Sequence, residues 1–388
     1  MAKPETLQLL ADLVGFDTTS RNSNLALIDY VERYLAKHGV ASRRIPDETG
    51  EKANLIATMG PADVPGYVLS GHTDVVPVDG QDWATDPFTL TRKGYRLYGR
   101  GTCDMKSFSA VALAFVPEMA KRPLARPIHL ALSYDEEVGC LGVRGIVAEM
   151  NGWKVKPAAC IVGEPSGMEV VIAHKGKRSI RCDVRGLAAH SSLAPLAVNA
   201  VEYAARLVTH ISDIGRRLAE KGPRDPLYDV AWSTAHVGLI HGGVQLNIVP
   251  EDCWFEFEFR TLPEDDPEAL VAEVEAWARA ELEPAMKAIH PEAGFAFSLR
   301  SEFPGLDTPA GEGVVAFAKQ LAGRNAHAKV AYGTEAGLFS TQAGIPTIVC
   351  GPASIDQAHK PDEFVELAQI ERCEAFLARL LDAACRPL

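Results

Sequence analysis

Apolar positions recur at helical spacing over residues 6–13 and 24–37, then crowd into short runs at 53–58 and 67–70. The first two segments predict amphipathic helices, and the short runs predict strands. A helix over 107–121 and strands over 128–133 and 158–162 continue the alternation, the last running into Gly163-Glu164-Pro165. Strands that alternate with helices in this way predict a largely parallel sheet covered on both faces.

From about residue 177 the pattern changes. A strand of alternating character over 180–184 is followed by a helix over 196–218 and two strands separated by His241-Gly242-Gly243. A second helix over 267–288 and a strand over 294–299 complete a βαββαβ order, the ferredoxin-like unit. The Gly242-Gly243 pair predicts a tight hairpin between the two middle strands. Beyond Pro304 the first pattern resumes, with helices at 311–321, 335–342 and 367–384 and strands at 328–332 and 346–350. The expected fold is an α/β catalytic domain formed by 1–176 and 301–388, a mixed, mostly parallel sheet flanked by helices, interrupted by a ferredoxin-like α+β domain at 177–300. A chain of 388 residues, 47% of them hydrophobic, exceeds what one core usually holds and so agrees with two.

Composition narrows the partners. The 51 acidic and 39 basic residues leave a formal charge of -12, which argues against nucleic acid or an anionic membrane. Met1-Ala2-Lys3-Pro4-Glu5-Thr6 lacks the apolar core of a signal peptide, and no apolar stretch is long enough to span a bilayer, so a cytoplasmic location is expected. The eight cysteines contain no Cys-x-x-Cys pair, against both a zinc ribbon and a disulfide framework.

Candidate chemistry sits where the α/β strands end. In His72-Thr73-Asp74 the two functional side chains share a strand face, so Asp74 can hold one imidazole nitrogen and leave the other for a metal. Further groups follow in Gly99-Arg100-Gly101-Thr102-Cys103-Asp104-Met105-Lys106, Asp135-Glu136-Glu137, Gly163-Glu164-Pro165 and Gln357-Ala358-His359-Lys360-Pro361. Imidazoles with hard oxygens suit zinc, manganese or cobalt better than calcium or copper.

One cation needs only three protein ligands, and five candidates point to two sharing a bridging carboxylate. Asp104 is the best bridge, because a glycine turn brings a short side chain close. Of the adjacent glutamates, Glu137 is assigned to the metal and Glu136 to the general base that takes a proton from water and later gives it to the leaving amine. Singly, each pattern has an ordinary explanation: a structural His-Asp pair, a solvated Glu-Glu, a Gly-Glu-Pro turn. Gly99-x-Gly101 lacks the third glycine or the lysine of a phosphate loop. The joint order of the patterns carries the reading.

That order resembles the co-catalytic zinc amidohydrolases, a family that includes succinyl-diaminopimelate desuccinylase, aminoacylase and carboxypeptidase G. Ser70-Gly71-His72-Thr73-Asp74-Val75-Val76-Pro77, Tyr98-Gly99-Arg100-Gly101-Thr102-Cys103-Asp104-Met105-Lys106 and Asp135-Glu136-Glu137 carry the resemblance, which extends across nearly the whole chain. It implies two Zn2+ ions, with Co2+ or Mn2+ as substitutes: His72, Asp104 and Glu164 on one, Asp104, Glu137 and His359 on the other. It also implies Glu136 as base and Asp74 as orienter. Ser107 stands where relatives often carry glycine, and a small residue preserves the turn.

The inserted domain of such enzymes is a lid that mediates homodimerisation and supplies a histidine to the partner's active site. Ala189-His190-Ser191-Ser192 matches that element, so His190 is expected to donate to the developing oxyanion. Arg260, whose fork suits an α-carboxylate, Asn247 and Thr334 are candidate substrate contacts. Glu335 is either a partner for a cationic substrate side chain or a complement to a helix dipole. Gly333-Thr334-Glu335-Ala336-Gly337-Leu338-Phe339 and Ile355-Asp356-Gln357-Ala358-His359-Lys360-Pro361-Asp362-Glu363 most resemble the members that act on N2-acetyl-L-ornithine. The expected substrate is therefore a small N-acyl amino acid, that one first and N-succinyl-diaminopimelate next. An inactive amino-acid-binding or scaffolding protein on the same fold is opposed by the retention of Glu136 and all five ligand candidates.

Overall fold

Strands Tyr67–His72 and Ile128–Ser133 are buried at every position, which requires protein on both faces. The computed structural model describes residues 1–386 and divides them into two compact units, one of 1–173, 306–329 and 334 onward, the other of 174–305 and 330–333. In the first, the sheet runs Ser42–Pro46, Ala53–Met59, Ile128–Ser133, Tyr67–His72, Ala159–Pro165, Thr347–Gly351, Val171–His174, Leu306–Asp307. The four strands from Ile128–Ser133 to Thr347–Gly351 are parallel, and antiparallel strands flank them. The mixed α/β sheet expected from the alternation is thus present. Its parallel centre gathers the C-terminal ends of four strands along one edge.

Helix Lys106–Lys121 is apolar almost all round and buried from Lys106 to Val116, as a helix enclosed by protein must be. It packs against Pro4–Val14 and Leu367–Ala384, and Val143–Asn151 packs on Ala336–Ala343. Its approach to the sheet depends on Gly163, where an added Cβ would meet the Phe108 ring at 2.0 Å. Glycine therefore lets the helix start, with Asp104 just ahead of it, close on the strand that carries Glu164.

The second unit is an antiparallel sheet in the order Thr234–Gly242, Asp252–Thr261, Gly176–Arg185, Gly294–Phe303, the arrangement of a ferredoxin-like unit. Asp252–Thr261 alternates between buried and partly exposed positions. Its Phe255, Phe257 and Phe259 meet Leu207, Ile211 and Ile214 of helix Ala200–Lys221 and Val274 and Met286 from the later helices.

Three local expectations fail for physical reasons. The tight hairpin at Gly242-Gly243 is absent: Gly242 pairs with Cys253, and the connection over 243–251 contains a short strand, Ile248–Val249, that pairs with Ala189–His190. The helix expected over 196–218 starts only at Ala200, because the Asn199 side chain caps the Val201 and Glu202 amides. The helix over 267–288 is interrupted by a π-turn at Ala278–Leu282, next to Pro284, whose missing N–H breaks the regular ladder.

Candidate metal centre

His72 ends its strand, Glu164 stands next to last in Ala159–Pro165, and Asp135-Glu136-Glu137 follow Ile128–Ser133. Asp104 comes from the turn ahead of Lys106–Lys121, where Gly101 has φ +83°, a conformation suited to glycine. His359 comes from the loop beyond Thr347–Gly351. The Asp104 carboxylate faces both imidazoles: Oδ1 lies 3.0 Å from His72 Nε2 and Oδ2 lies 3.3 Å from His359 Nε2. His359 Nε2 is also 3.1 Å from Glu137 Oε2, and His72 Nε2 is 3.7 Å from Glu164 Oε1. All five candidate ligands therefore meet at one place. Donor atoms of His72, Glu136 and Glu164 lie within 4.8 Å of one another, as do those of His72, Asp104 and Glu137.

Asp74 faces His72 Nδ1 with both its carbonyl and its carboxylate. The acceptor nearest His72 Nδ1 is the Asp74 carbonyl at 2.9 Å, with the carboxylate farther off at 3.5 Å. A carbonyl can only accept, so Nδ1 carries a proton and Nε2 is the nitrogen that faces the carboxylates and would serve a metal. The Asp74 carboxylate accepts the Glu136 and Glu137 amides at 3.1 and 3.3 Å and the Ser20 hydroxyl at 2.7 Å. It pins the turn on which both glutamates stand. Glu136 accepts the Cys140 thiol at 3.3 Å and, among the described residues, hydrogen-bonds neither histidine.

Burial pushes Glu136 up to about 8 and Glu137 up to about 7, neighbouring carboxylates adding to both. Glu164 is raised too, first by burial and then by Asp104. Hydrogen bonds to Asp104 and Glu137 raise His359 to about 10. Burial works against a charged His72, but Glu164 and Asp104 outweigh it and carry the imidazole well above its ordinary value. Burial would raise Asp104, yet the two imidazoles hold it below the carboxylate range. Protons thus hold together a cluster whose charges suit cations. Glu137 Oε1 and Glu164 Oε1 are buried and accept no hydrogen bond, which is costly for a carboxylate without a further partner. Two imidazoles and this oxygen set fit divalent zinc, cobalt or manganese.

Two residues need a different assignment. Thr334 has no exposed surface, and its hydroxyl accepts the Ala336 amide in the turn that leads into helix Ala336–Ala343, so its oxygen is spent on its own backbone rather than turned to a substrate. Glu335 is equally buried and accepts Ser70 and Ser133 hydroxyls at 2.6 and 2.7 Å. It presents no open face to a cationic side chain. His190, Asn247 and Arg260 all belong to the second unit. The Asn247 carbonyl accepts the Ser191 amide at 3.0 Å, which ties it to the His190 segment.

Arg100, Glu363, Gln81 and Cys140 also stand at the site, and no spacing in the sequence singles them out. Arg100 and Glu363 stand inside the very motifs that supply Asp104 and His359, so proximity to a ligand was the available signal; their burial was not visible.

Residues 68–383 match the peptidase family M20/M25/M40. An acetylornithine deacetylase from Proteus mirabilis is 34% identical over 97% of this chain and 95% of its own length. An M20 family metallo-carboxypeptidase from Sulfolobus solfataricus has the same fold, with a TM-score of 0.76 at 19% identity over 99% of this chain and 100% of that one. A dinuclear metal-binding peptidase of the M20 family from Bacillus subtilis gives a TM-score of 0.63 at 14% identity over 99% and 98%. The chain belongs to peptidase family M20/M25/M40 and is a metal-dependent amidohydrolase. Among the described residues no helix is long and apolar enough to cross a membrane.

Proposed function

We propose that this chain removes the acetyl group from N2-acetyl-L-ornithine, giving L-ornithine and acetate. Two zinc ions would be held, one by His72, Asp104 and Glu164 and the other by Asp104, Glu137 and His359. The single observation that carries the dinuclear reading is the one Asp104 carboxylate shared between two imidazoles. The identity with the Proteus mirabilis acetylornithine deacetylase supports the substrate. When bound, such cations lower the pKa of a water and polarise an amide carbonyl. Glu136, hydrogen-bonded to neither histidine, accepts the proton released as water attacks and delivers it to the departing α-nitrogen. Asp74 keeps that carboxylate in place through the amides of residues 136 and 137. On zinc-loaded protein, kcat/KM for N2-acetyl-L-ornithine is expected to exceed that for N-succinyl-LL-diaminopimelate by about tenfold or more. The reverse order would overturn the substrate, and preferred hydrolysis of another N-acyl amino acid would overturn both names while leaving the class intact.

In the second unit, the Ser192 amide donates to His190 Nδ1 at 3.3 Å, which leaves the ring proton on Nε2 for a developing oxyanion. Arg260 gives Nε to Glu258 at 2.9 Å, and its terminal nitrogens are proposed to hold the substrate α-carboxylate, with Asn247 nearby in the His190 segment. This unit is proposed to act as a lid and as the surface of a homodimer. Thr234–Gly242 is an edge strand that exposes Leu239 and Ile240, and Leu246 beyond it is fully exposed. Bare apolar edges of this kind pair with other chains. Leu239→Lys with Ile240→Lys is expected to give a monomer by light scattering and to lower turnover about 10²–10³-fold, the loss of one oxyanion donor supplied by the partner. A fully active monomer would exclude that contribution. A cytoplasmic location is supported by the eight free cysteines.

A further inference from the structure

Arg100 and Glu363 form an ion pair whose side chains are each 1% exposed, with Nη1 2.6 Å from Oε2. Burying two charges is costly, and apolar replacements often match or exceed such a pair in stability. Its position and its remaining contacts therefore bear on what it does. The other Glu363 oxygen, Oε1, accepts two consecutive peptide N–H groups, those of Cys103 at 2.7 Å and Asp104 at 3.1 Å. The Glu363 carbonyl accepts the Gly99 amide at 3.0 Å. The loop that carries Asp104 is thus fastened at both ends to a residue four positions beyond His359.

Arg100 completes the connection from its own side. Nη2 donates to Gln81 Oε1 at 2.5 Å, and Gln81 Nε2 donates to the His359 carbonyl at 3.2 Å. Nη1 also reaches the Lys360 carbonyl at 3.4 Å, and the guanidinium lies 5.0 Å from the Trp83 ring centre. The segment being held is an unusual one: His359 and Asp362 both have positive φ, +62° and +55°, which residues with a side chain rarely adopt unless their surroundings impose it. None of these contacts uses a His359 ring nitrogen or an Asp104 carboxylate oxygen, so both ligands keep their donor atoms.

We propose that Arg100 and Glu363, braced by Gln81, are positioning residues that fix the Asp104 carboxylate relative to the His359 imidazole and so set the affinity of the cation these two share. This rests on the dinuclear reading above. Outer contacts of metal ligands commonly change affinity by about 10–100-fold when removed, and here one ion pair orients two ligands at once. The His72 side shares Asp104 but draws two further ligands from strands the pair does not touch, His72 with its Asp74 carbonyl contact and Glu164, so it depends on the pair less.

The test is titration of chelator-treated, full-length protein with Co2+, followed by its visible absorption, together with zinc stoichiometry after gel filtration. The wild type is expected to bind two equivalents. Glu363→Gln is expected to weaken the first equivalent little and the second about 10–100-fold, with KM unaltered and the loss in kcat recovered at excess metal. Gln81→Leu keeps the ion pair and is expected to weaken the second equivalent about threefold or more; it decides the matter alone if Glu363→Gln does not fold. A wild type that binds fewer than two equivalents overturns the dinuclear reading and the clamp with it. Two equivalents in the wild type, with second-site affinity unchanged in the folded variants, overturn the clamp only, even where melting temperature falls.

Discussion

Glu136→Gln is expected to lower kcat by about 10²–10⁴-fold, the usual contribution of a positioned general base, while both metal equivalents stay bound. That loss corresponds to about 3–5 kcal/mol of transition-state stabilisation. Glutamine keeps the shape of glutamate and still accepts the Cys140 thiol, and no imidazole loses a partner, because Glu136 hydrogen-bonds neither. KM should therefore move little, which marks an interaction made in the transition state rather than in binding. The pH profile gives a second readout. A general base acts only when ionised, so activity in the metal-loaded protein falls on the acid side as Glu136 takes up a proton. The variant should lack this limb. Steady-state kinetics with metal analysis on the same samples decide it: wild-type turnover in the variant removes Glu136 from the role.

The most legible elements were those with an unbroken apolar pattern: the buried strand 128–133, whose apolar run is continuous, and the amphipathic helix 367–384 were expected and observed with the same limits. Elements held by tertiary pairing were not legible. Ser42–Pro46 is short, carries two arginines and is only partly buried, and it is a strand because Ala53–Met59 offers it an edge. Val171–His174 and the helix Val143–Asn151 likewise gain their definition from neighbours. The failed hairpin shows the limit of a glycine signal. Gly243 does take a positive φ, but the Ile248–Val249 pairing with Ala189–His190 decides the length of the connection.

For the site, motif order was informative about which groups converge, since His72, Glu136, Glu137, Glu164 and His359 end or follow strands of the parallel centre and Asp104 comes from the glycine turn that starts the helix packed on it. What sequence could not separate was a polar side chain that serves the fold from one that serves chemistry. Thr334 and Glu335 sit beside each other in a motif-like segment, and both turn out to be buried and satisfied by Ala336, Ser70 and Ser133. Glu363, in contrast, closes the Ile355 to Glu363 segment with no role legible in the sequence, yet it is buried against Arg100 and the Asp104 amide.

Removing the cations is expected to abolish amide hydrolysis and to expose a stability that falls as pH rises. In the cation-free fold Glu136 titrates near 8 and Glu137 near 7, against 4.5 for the ordinary side chain. Between those limits the folded chain holds protons that the unfolded chain has released, so stability declines with increasing pH by about 1.4 kcal/mol per unit for each proton held. His359, raised by Asp104 and Glu137, acts with the same sign: its contribution is complete below the unfolded imidazole value and is lost as pH rises toward about 10. Asp104, held below its ordinary range, stays ionised throughout and adds no slope above pH 5. Zinc must displace these protons, so its apparent affinity and its stabilising effect grow over the interval in which the apo-protein weakens. A hundredfold excess over Kd would add about 3 kcal/mol at a given pH. Calorimetry in chelator and in zinc at pH 6 and pH 8 measures both trends. An apo-protein that gains stability between those two values, or a zinc increment that shrinks, would mean that the carboxylates around Asp104 are already ionised and paired some other way, and that protons are not what the cations replace.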